Sequence, residues 1–198
     1  MRNRHFRNLA DCAVVLAVTI LAALPGAALA NDALWKLLKA GGHVVLMRHA
    51  VTTPGVGDPP GMRLDECATQ RNLTEDGRRH ARQIGEAFQA RGIPVDRVLS
   101  SPWCRCIETA KLAFGGEPKI EASLGNLFGR PENSAHQLRA MSALVGERRG
   151  GGTLVLVSHG STISALTGVS LDTGEMVVVT PEGGGRFTVA GRLAVSDR

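Results

Sequence analysis

Val44-Val45-Leu46-Met47-Arg48-His49-Ala50 is the stretch from which the fold can be read. Four apolar residues, two of them β-branched, run straight into an arginine and a histidine. They predict a buried strand that delivers two polar side chains at its carboxyl end. In open α/β sheets, ligands bind along that edge. A second apolar run, Thr153-Leu154-Val155-Leu156-Val157-Ser158, ends the same way in His159-Gly160. Two strands, each tipped by a histidine, predict one site built from both.

Working outward, strands and helices alternate. Asp32 is the expected cap of a short helix carrying Leu34, Trp35, Leu37 and Leu38, which stops at Gly41-Gly42. Residues 51–72, with Pro54-Gly55 and Gly57-Asp58-Pro59-Pro60-Gly61, form a long loop; such loops are usually functional or disordered, and this one, leaving the end of the first strand, reads as part of the binding wall. Thr74 is placed to cap a helix to about Arg91, with Ala81, Ile84 and Phe88 on one face. Val95–Leu99 reads as a strand. Ser101-Pro102 then gives an N-cap and a first helical proline, which puts Arg105 in the first turns, where free backbone N–H groups favour an anion. A short strand near 119–121, a helix from about Ser134, a short helix after Gly160 and a terminal hairpin around Pro181-Glu182-Gly183-Gly184-Gly185 complete the chain. The expectation is a three-layer α/β/α sandwich with a mostly parallel central sheet and a C-terminal hairpin.

Residues 1–30 read as a secretory signal peptide: Arg2, Arg4 and Arg7, then a mostly apolar stretch from Cys12 to Leu24, then Pro25-Gly26 and the small-x-small sequence Ala28-Leu29-Ala30. The apolar core is short of the ~20 residues that span a bilayer. Residues 31–198 form one domain, expected in the periplasm or secreted, without a stable membrane span. Loss of Arg2, Arg4, Arg7 and Asp11 takes the net charge from +5 to +3. There is no basic block and there are few aromatics, so a nucleic-acid platform is not expected. Export favours a disulfide among Cys67, Cys104 and Cys106. Cys104 and Cys106 lie about 200° apart around a helix. Cys106 falls beside the apolar stripe and Cys104 toward the loop, so Cys67 is expected to pair with Cys104. The Cys-x-Cys spacing does not suit zinc.

Phosphoryl transfer needs an in-line nucleophile and positive charge on the equatorial oxygens. His49 is the candidate nucleophile, Arg48 and Arg105 are forked donors for phosphate oxygens, and protonated His159 adds another donor. Leu46-Met47-Arg48-His49-Ala50 resembles the Arg-His-Gly signature of the histidine phosphatase superfamily, the phosphoglycerate mutase-like proteins. Ser100-Ser101-Pro102-Trp103-Cys104-Arg105-Cys106-Ile107-Glu108-Thr109-Ala110 resembles its Ser-Ser-Pro-x-x-Arg-x-x-x-Thr-Ala segment. Asn72-Leu73-Thr74-Glu75-Asp76-Gly77 is similar to its Leu-Thr-x-x-Gly helix start, and Val157-Ser158-His159-Gly160 to its second histidine motif. Four motifs in order are a specific signal. The resemblance implies a phosphohistidine on His49, a phosphate pocket of Arg48, Arg105 and His159, and no metal or other cofactor.

The chain departs from the family pattern at several positions. Ala50 replaces a glycine. Gly55 stands where many members carry a phosphate-touching asparagine, with Thr52 and Thr53 as substitutes. Asn126 stands where many carry the acidic proton donor, and Gly160 where the acid-phosphatase branch has aspartate. Asp58, Asp65, Glu66 and Glu132 are the remaining candidate acids. Arg63, Arg71, Arg78, Arg79 and Arg82 read as solvated charges, though Arg63 and Arg71 flank the loop, where they could select an anion. Trp103 reads as a packing residue, His80 as solvated, and Glu108 and Glu175 as structural. The reading is an exported phosphatase acting on a small phosphorylated substrate, a cell-envelope component among the possibilities. Its rivals are a pocket that binds phosphorylated ligands without turnover and, disfavoured by the short chain, a phosphomutase.

Overall fold

The computed structural model describes residues 25–130, 134–148 and 150–195. The expected leader through residue 24 lies outside them. A six-stranded sheet runs in the order β3-β2-β4-β1-β5-β6, with β1 Val44–Arg48, β2 Val95–Ser100, β3 Lys119–Ile120, β4 Thr153–Ser158, β5 Met176–Gly183 and β6 Arg186–Leu193. Strands β3, β2, β4 and β1 are parallel, and β5 and β6 close the sheet as an antiparallel hairpin. Gly184 and Gly185, both at positive φ, form its two-residue turn, a conformation that side chains resist.

Helices cover both faces, which explains why β1 and β4 read as unbroken apolar runs rather than alternating ones. On one face, α1 (Pro25–Ala40), α2 (Glu75–Ala90) and α3 (Cys104–Phe114) bury Leu34, Trp35, Ile84, Phe88, Cys106 and Ala110 against Val45, Met47, Val155 and Val157. On the other, α4 (Ser134–Gly146) and α5 (Gly160–Thr167) bury Met141, Val145 and Ile163 against Val44, Leu46, Leu154 and Leu156. The sandwich and its C-terminal hairpin are as expected.

Two helix starts differ from expectation. Asp32 does not cap α1, which begins at Pro25 because the alanine-rich segment 26–30 is itself a strong helix former. Ser101 does not cap α3. Trp103 holds that position without a side-chain cap bond, while the Ser101 Oγ lies 2.8 Å from His159 Nε2 and accepts from the Trp103 N–H at 3.5 Å. Thr74 does cap α2, its Oγ1 accepting from the Gly77 N–H. His80 is half-buried rather than solvated, its Nε2 3.2 Å from the Val195 carbonyl oxygen.

The long loop is fastened rather than loose. Thr52 bridges Leu73 across its neck, and Cys67 is bonded to Cys104 with their Cα atoms 5.7 Å apart, the pairing expected from the two faces of α3. Cys106 remains a buried thiol. Among the described residues, no helix is long and apolar enough to cross a membrane.

Helices α2 and α3 approach so closely at Gly85 that a Cβ there would overlap the Ala113 carbonyl oxygen. Two effects of Gly85→Ala therefore oppose each other. Helix propensity favours alanine by ~1 kcal/mol, while overpacking costs ~1–3 kcal/mol. With backbone as the obstacle, overpacking wins, and the variant unfolds at lower urea concentration than wild type; an unchanged or raised midpoint would show that α2 and α3 can separate.

Candidate active site

Strand register builds the site. Arg48 stands opposite Ser158 in the β1–β4 ladder, and the next residue of each strand is a histidine. The His49 N–H donates to the Ser158 carbonyl at 3.0 Å, and the two imidazoles meet edge to face with centroids 5.5 Å apart. Both rings are almost fully buried. Arg48 donates to the Leu171 carbonyl at 2.7 Å and lies over Gly160, where a Cβ would stand 3.2 Å from its Cδ and Nε. A side chain at residue 160, aspartate included, would crowd Arg48, which would have to give by a few tenths of an ångström. Arg105 enters from the first turn of α3, is 1 % exposed, and brings Nη2 to 3.4 Å from His159 Nδ1.

His49 Nδ1 is 2.8 Å from the Ala50 carbonyl oxygen, which only accepts, so Nδ1 carries the proton and Nε2 is left with its lone pair. Burial pushes His49 down to about 3, partly opposed by the Ala50 hydrogen bond and reinforced by Arg105, Arg48 and Arg71. Burial likewise lowers His159 well below its ordinary value, helped by His49 and the same three arginines. Burial pushes the Cys106 thiol up to about 12, so it is inert as a nucleophile.

A cleft of about 470 Å³ opens over these groups, lined by Arg48, His49, Arg71, Arg105 and His159 with Asn126, Phe128, Ser161, Ser164 and the Gly55–Gly57 segment. The four expected residues, Arg48, His49, Arg105 and His159, are thus together. Arg71 joins them, its Nη1 bound to the Gly55 carbonyl at 2.9 Å, whereas Arg63 is held at the surface by Asp65 and Glu66. The Nε–H groups of Arg48, Arg71 and Arg105 are all buried and have no hydrogen-bond partner among the described residues. An unpaired buried donor is costly, and three around one cleft suit a polyoxygenated anion.

Thr52 and Thr53 do not line the cleft in place of the missing asparagine, because the Thr52–Leu73 bridge and the Thr53 N–H bond to the Asn72 carbonyl hold them at the loop neck. No acid lines the cleft among the described residues. Asp65 and Glu66 pair with Arg63, and Asp58 pairs with Arg105. Burial opposes ionisation of Asp58, but hydrogen bonds and charge from Arg105, with the Arg71 N–H and the Trp103 indole, hold its carboxyl below the usual range, the reverse of what a proton donor needs. Glu132 lies outside the described residues. Asn126 does line the cleft, accepting from Ser161 and from the Phe128 N–H. Among the described residues, no group of three or more His, Cys, Asp or Glu side chains is placed to hold a metal ion.

Sequence reasoning undervalued Arg71 and missed the Asp58–Arg105 pair. The long loop carrying both was the available signal; their side-chain partners were not. Trp103 packs as expected, edge to His159, and its indole also donates to Asp58. Glu108 and Glu175 are structural, pairing with Arg78 and Arg192.

Residues 44–137 match the sequence model of the histidine phosphatase superfamily (branch 1), a span that contains three of the four motifs. His159 lies beyond it, and the fold brings it to His49. No curated protein matches this sequence. Among solved structures, the protein histidine phosphatase SixA with tungstate is similar at a TM-score of 0.57 and 19% identity, covering 77% of this chain and 96% of that one. The putative phosphohistidine phosphatase SixA from Agrobacterium tumefaciens gives 0.51 and 24%, covering 78% and 99%. A mycobacterial glucosyl-3-phosphoglycerate phosphatase gives 0.52 and 19%, covering 74% and 96%. At these identities the likeness is one of fold, and the fold is that of the phosphoglycerate mutase-like phosphatases.

The buried histidines make stability depend on acidity. Each has a folded-state pKa below its ordinary value of 6.5. Below about 6.5, and for His49 down to about 3, the unfolded chain binds protons that the folded chain refuses. Stability is therefore complete above that window and is lost as pH falls through it. Denaturation curves at pH 4 and pH 7 should show a smaller pH dependence in His49→Gln than in wild type; an equal dependence would mean that burial does not hold His49 neutral.

Proposed function

We propose that the protein is an exported phosphatase that hydrolyses a phosphomonoester or other phosphorylated substrate through a phosphohistidine on His49. The observation that carries this is His49 itself: a neutral imidazole with Nδ1 fixed on the Ala50 carbonyl and Nε2 unprotonated, in a cleft with three unpaired guanidinium donors. The family match over residues 44–137 supports it.

The His49 Nε2 lone pair attacks phosphorus while the bond to the leaving-group oxygen or nitrogen breaks and takes its electron pair with it. Arg48, Arg71 and Arg105 hold the equatorial oxygens, and His159 adds a donor once the bound dianion favours its protonation. Water then attacks the phosphohistidine, the N–P bond breaks, phosphate leaves and neutral His49 is restored. No metal enters either step.

With no acid lining the cleft among the described residues, the leaving group departs without a proton from them. Substrates whose leaving group is already good, such as a phosphohistidine or an acyl phosphate, fit this site best. The name of the neighbouring protein histidine phosphatase points the same way. Export rests on the sequence of residues 1–30, and the Cys67–Cys104 disulfide is in keeping with an oxidising compartment such as the periplasm. There the substrate is a small phosphorylated molecule, a component of the cell envelope being the nearest source. The missing acid also favours a second reading, a pocket that retains phosphorylated ligands without turnover.

Assay of the purified protein with an aryl phosphate in EDTA tests this. Turnover is expected to survive the chelator and to fall by about 10³-fold or more in His49→Ala. Alkyl phosphates are expected to react ~10²–10⁴-fold more slowly than aryl ones, the usual worth of a general acid. Parity between them would reveal an acid in the cleft, and phosphate binding without turnover would favour the second reading.

A further inference from the structure

We propose that Asp58 is the positioning residue of the phosphate pocket, turning one edge of the Arg105 guanidinium away from the phosphate so that the other edge faces it. The proposal rests on the reading of the cleft as a phosphate site. Arg105 presents its donors in a planar fork with two usable edges. The end-on edge is taken: Nη1 donates to Asp58 Oδ1 at 2.5 Å and Nη2 to Oδ2 at 3.1 Å. The Nε–H is buried without a partner among the described residues, and Nη2 also reaches toward His159 Nδ1. Of the side edge, the Nε–H is thus what remains for an anion beside the two histidines.

Asp58 is itself held by two residues besides Arg105. Its Oδ1 accepts from the Arg71 backbone N–H at 3.2 Å, and its Oδ2 from the Trp103 indole at 3.0 Å. Arg71 supplies the cleft with its own guanidinium, and Trp103 packs on His159. One carboxylate therefore fixes Arg105, the backbone that carries Arg71, and the ring that shapes the His159 pocket. It also sets where the Gly55–Gly57 wall of the cleft lies, one residue upstream. The side chains of Arg105 and Asp58 are 1% and 9% exposed, so their alignment is not shared with water. A charged pair of this kind fixes geometry more than it adds stability, and loss of one partner leaves the other buried and uncompensated.

Binding of inorganic phosphate by calorimetry, and aryl and alkyl phosphate kinetics, on wild type, Asp58→Asn and Trp103→Phe provide the test. Asp58→Asn is expected to weaken phosphate binding and raise KM together by about tenfold or more, the scale of a lost charge-assisted hydrogen bond. The fall in kcat should be smaller and the alkyl-to-aryl rate ratio unchanged. Trp103→Phe keeps the ring against His159 but removes one bond to Asp58. It should shift both quantities the same way by about threefold to fivefold, and it carries the test if Asp58→Asn does not fold.

Three results would overturn the proposal. Tighter phosphate binding in Asp58→Asn would make the carboxylate a competitor of the ligand. A selective loss of alkyl phosphate turnover would make it the proton donor. Unchanged binding in the folded variants would make the pair merely structural. Phosphate binding without turnover in wild type would sink the phosphatase reading alone, since the affinities still decide the role of Asp58. A wild type that neither binds nor turns over would sink both.

Discussion

The pairing of β1 with β4 is the constraint on which everything else depends. These two strands lie at the centre of the sheet, side by side and parallel, in a register that sets Arg48 against Ser158. Parallel order brings both carboxyl ends to one edge, and register brings His49 and His159 to the same height on it. A slip of one residue would turn every side chain of one strand to the other face. Both faces of β1 and β4 are buried under helices, so the two layers, with Val45 and Met47 on one side and Val44 and Leu46 on the other, oppose any slip. Hydrophobic burial in the core thereby fixes the distance between two imidazoles at the surface of the sheet.

Around that pair the molecule gathers positive charge and then restrains it. Three arginines from β1, the long loop and the start of α3 converge on two buried histidines. Mutual repulsion and desolvation make such a cluster unfavourable until an anion arrives, and the same terms keep both histidines neutral. Fixed partners prevent the guanidinium groups from relaxing outward: the Leu171 carbonyl for Arg48, Asp58 for Arg105 and the Gly55 carbonyl for Arg71. The Cys67–Cys104 bridge ties the loop to the turn that carries Arg105. The electrostatic strain is stored in a rigid frame, which is the condition under which preorganised donors are most effective.

What could be read from the chain followed from what is local. The two strand ends put His49 and His159 together because each apolar run stops at its histidine, and the helix after Val95–Ser100 put Arg105 near an edge that the strand order confirmed. The Cys67–Cys104 pairing followed from the two faces of a single helix. The failures arose where a side chain had two competing partners. Ser101 is a good capping residue by type, but its hydroxyl is taken by His159, a residue 58 positions away. Asp58 reads as a loop acid suited to donating a proton, yet it is neutralised by Arg105 from another element. Arg71 looks like a solvated charge until the loop folds back and turns it into the cleft. Each of these depends on a tertiary contact that no local pattern encodes.

Among the described residues no acid lines the cleft, and the residue after the second histidine is a glycine. It begins α5 beneath the Arg48 guanidinium, and a Cβ there would stand 3.2 Å from the Cδ and Nε of Arg48, crowding it as it reaches the Leu171 carbonyl. An aspartate there would crowd an arginine that lines the cleft. The cleft wall instead carries Ser161, Ser164, Ser170 and Asn126. On the proposed phosphatase reading, such a site would stabilise the charge on the transferring phosphoryl group strongly and the charge on the departing group weakly. Its selectivity would then be set by how readily the leaving group carries its own electrons, more than by how well its shape fills the cleft.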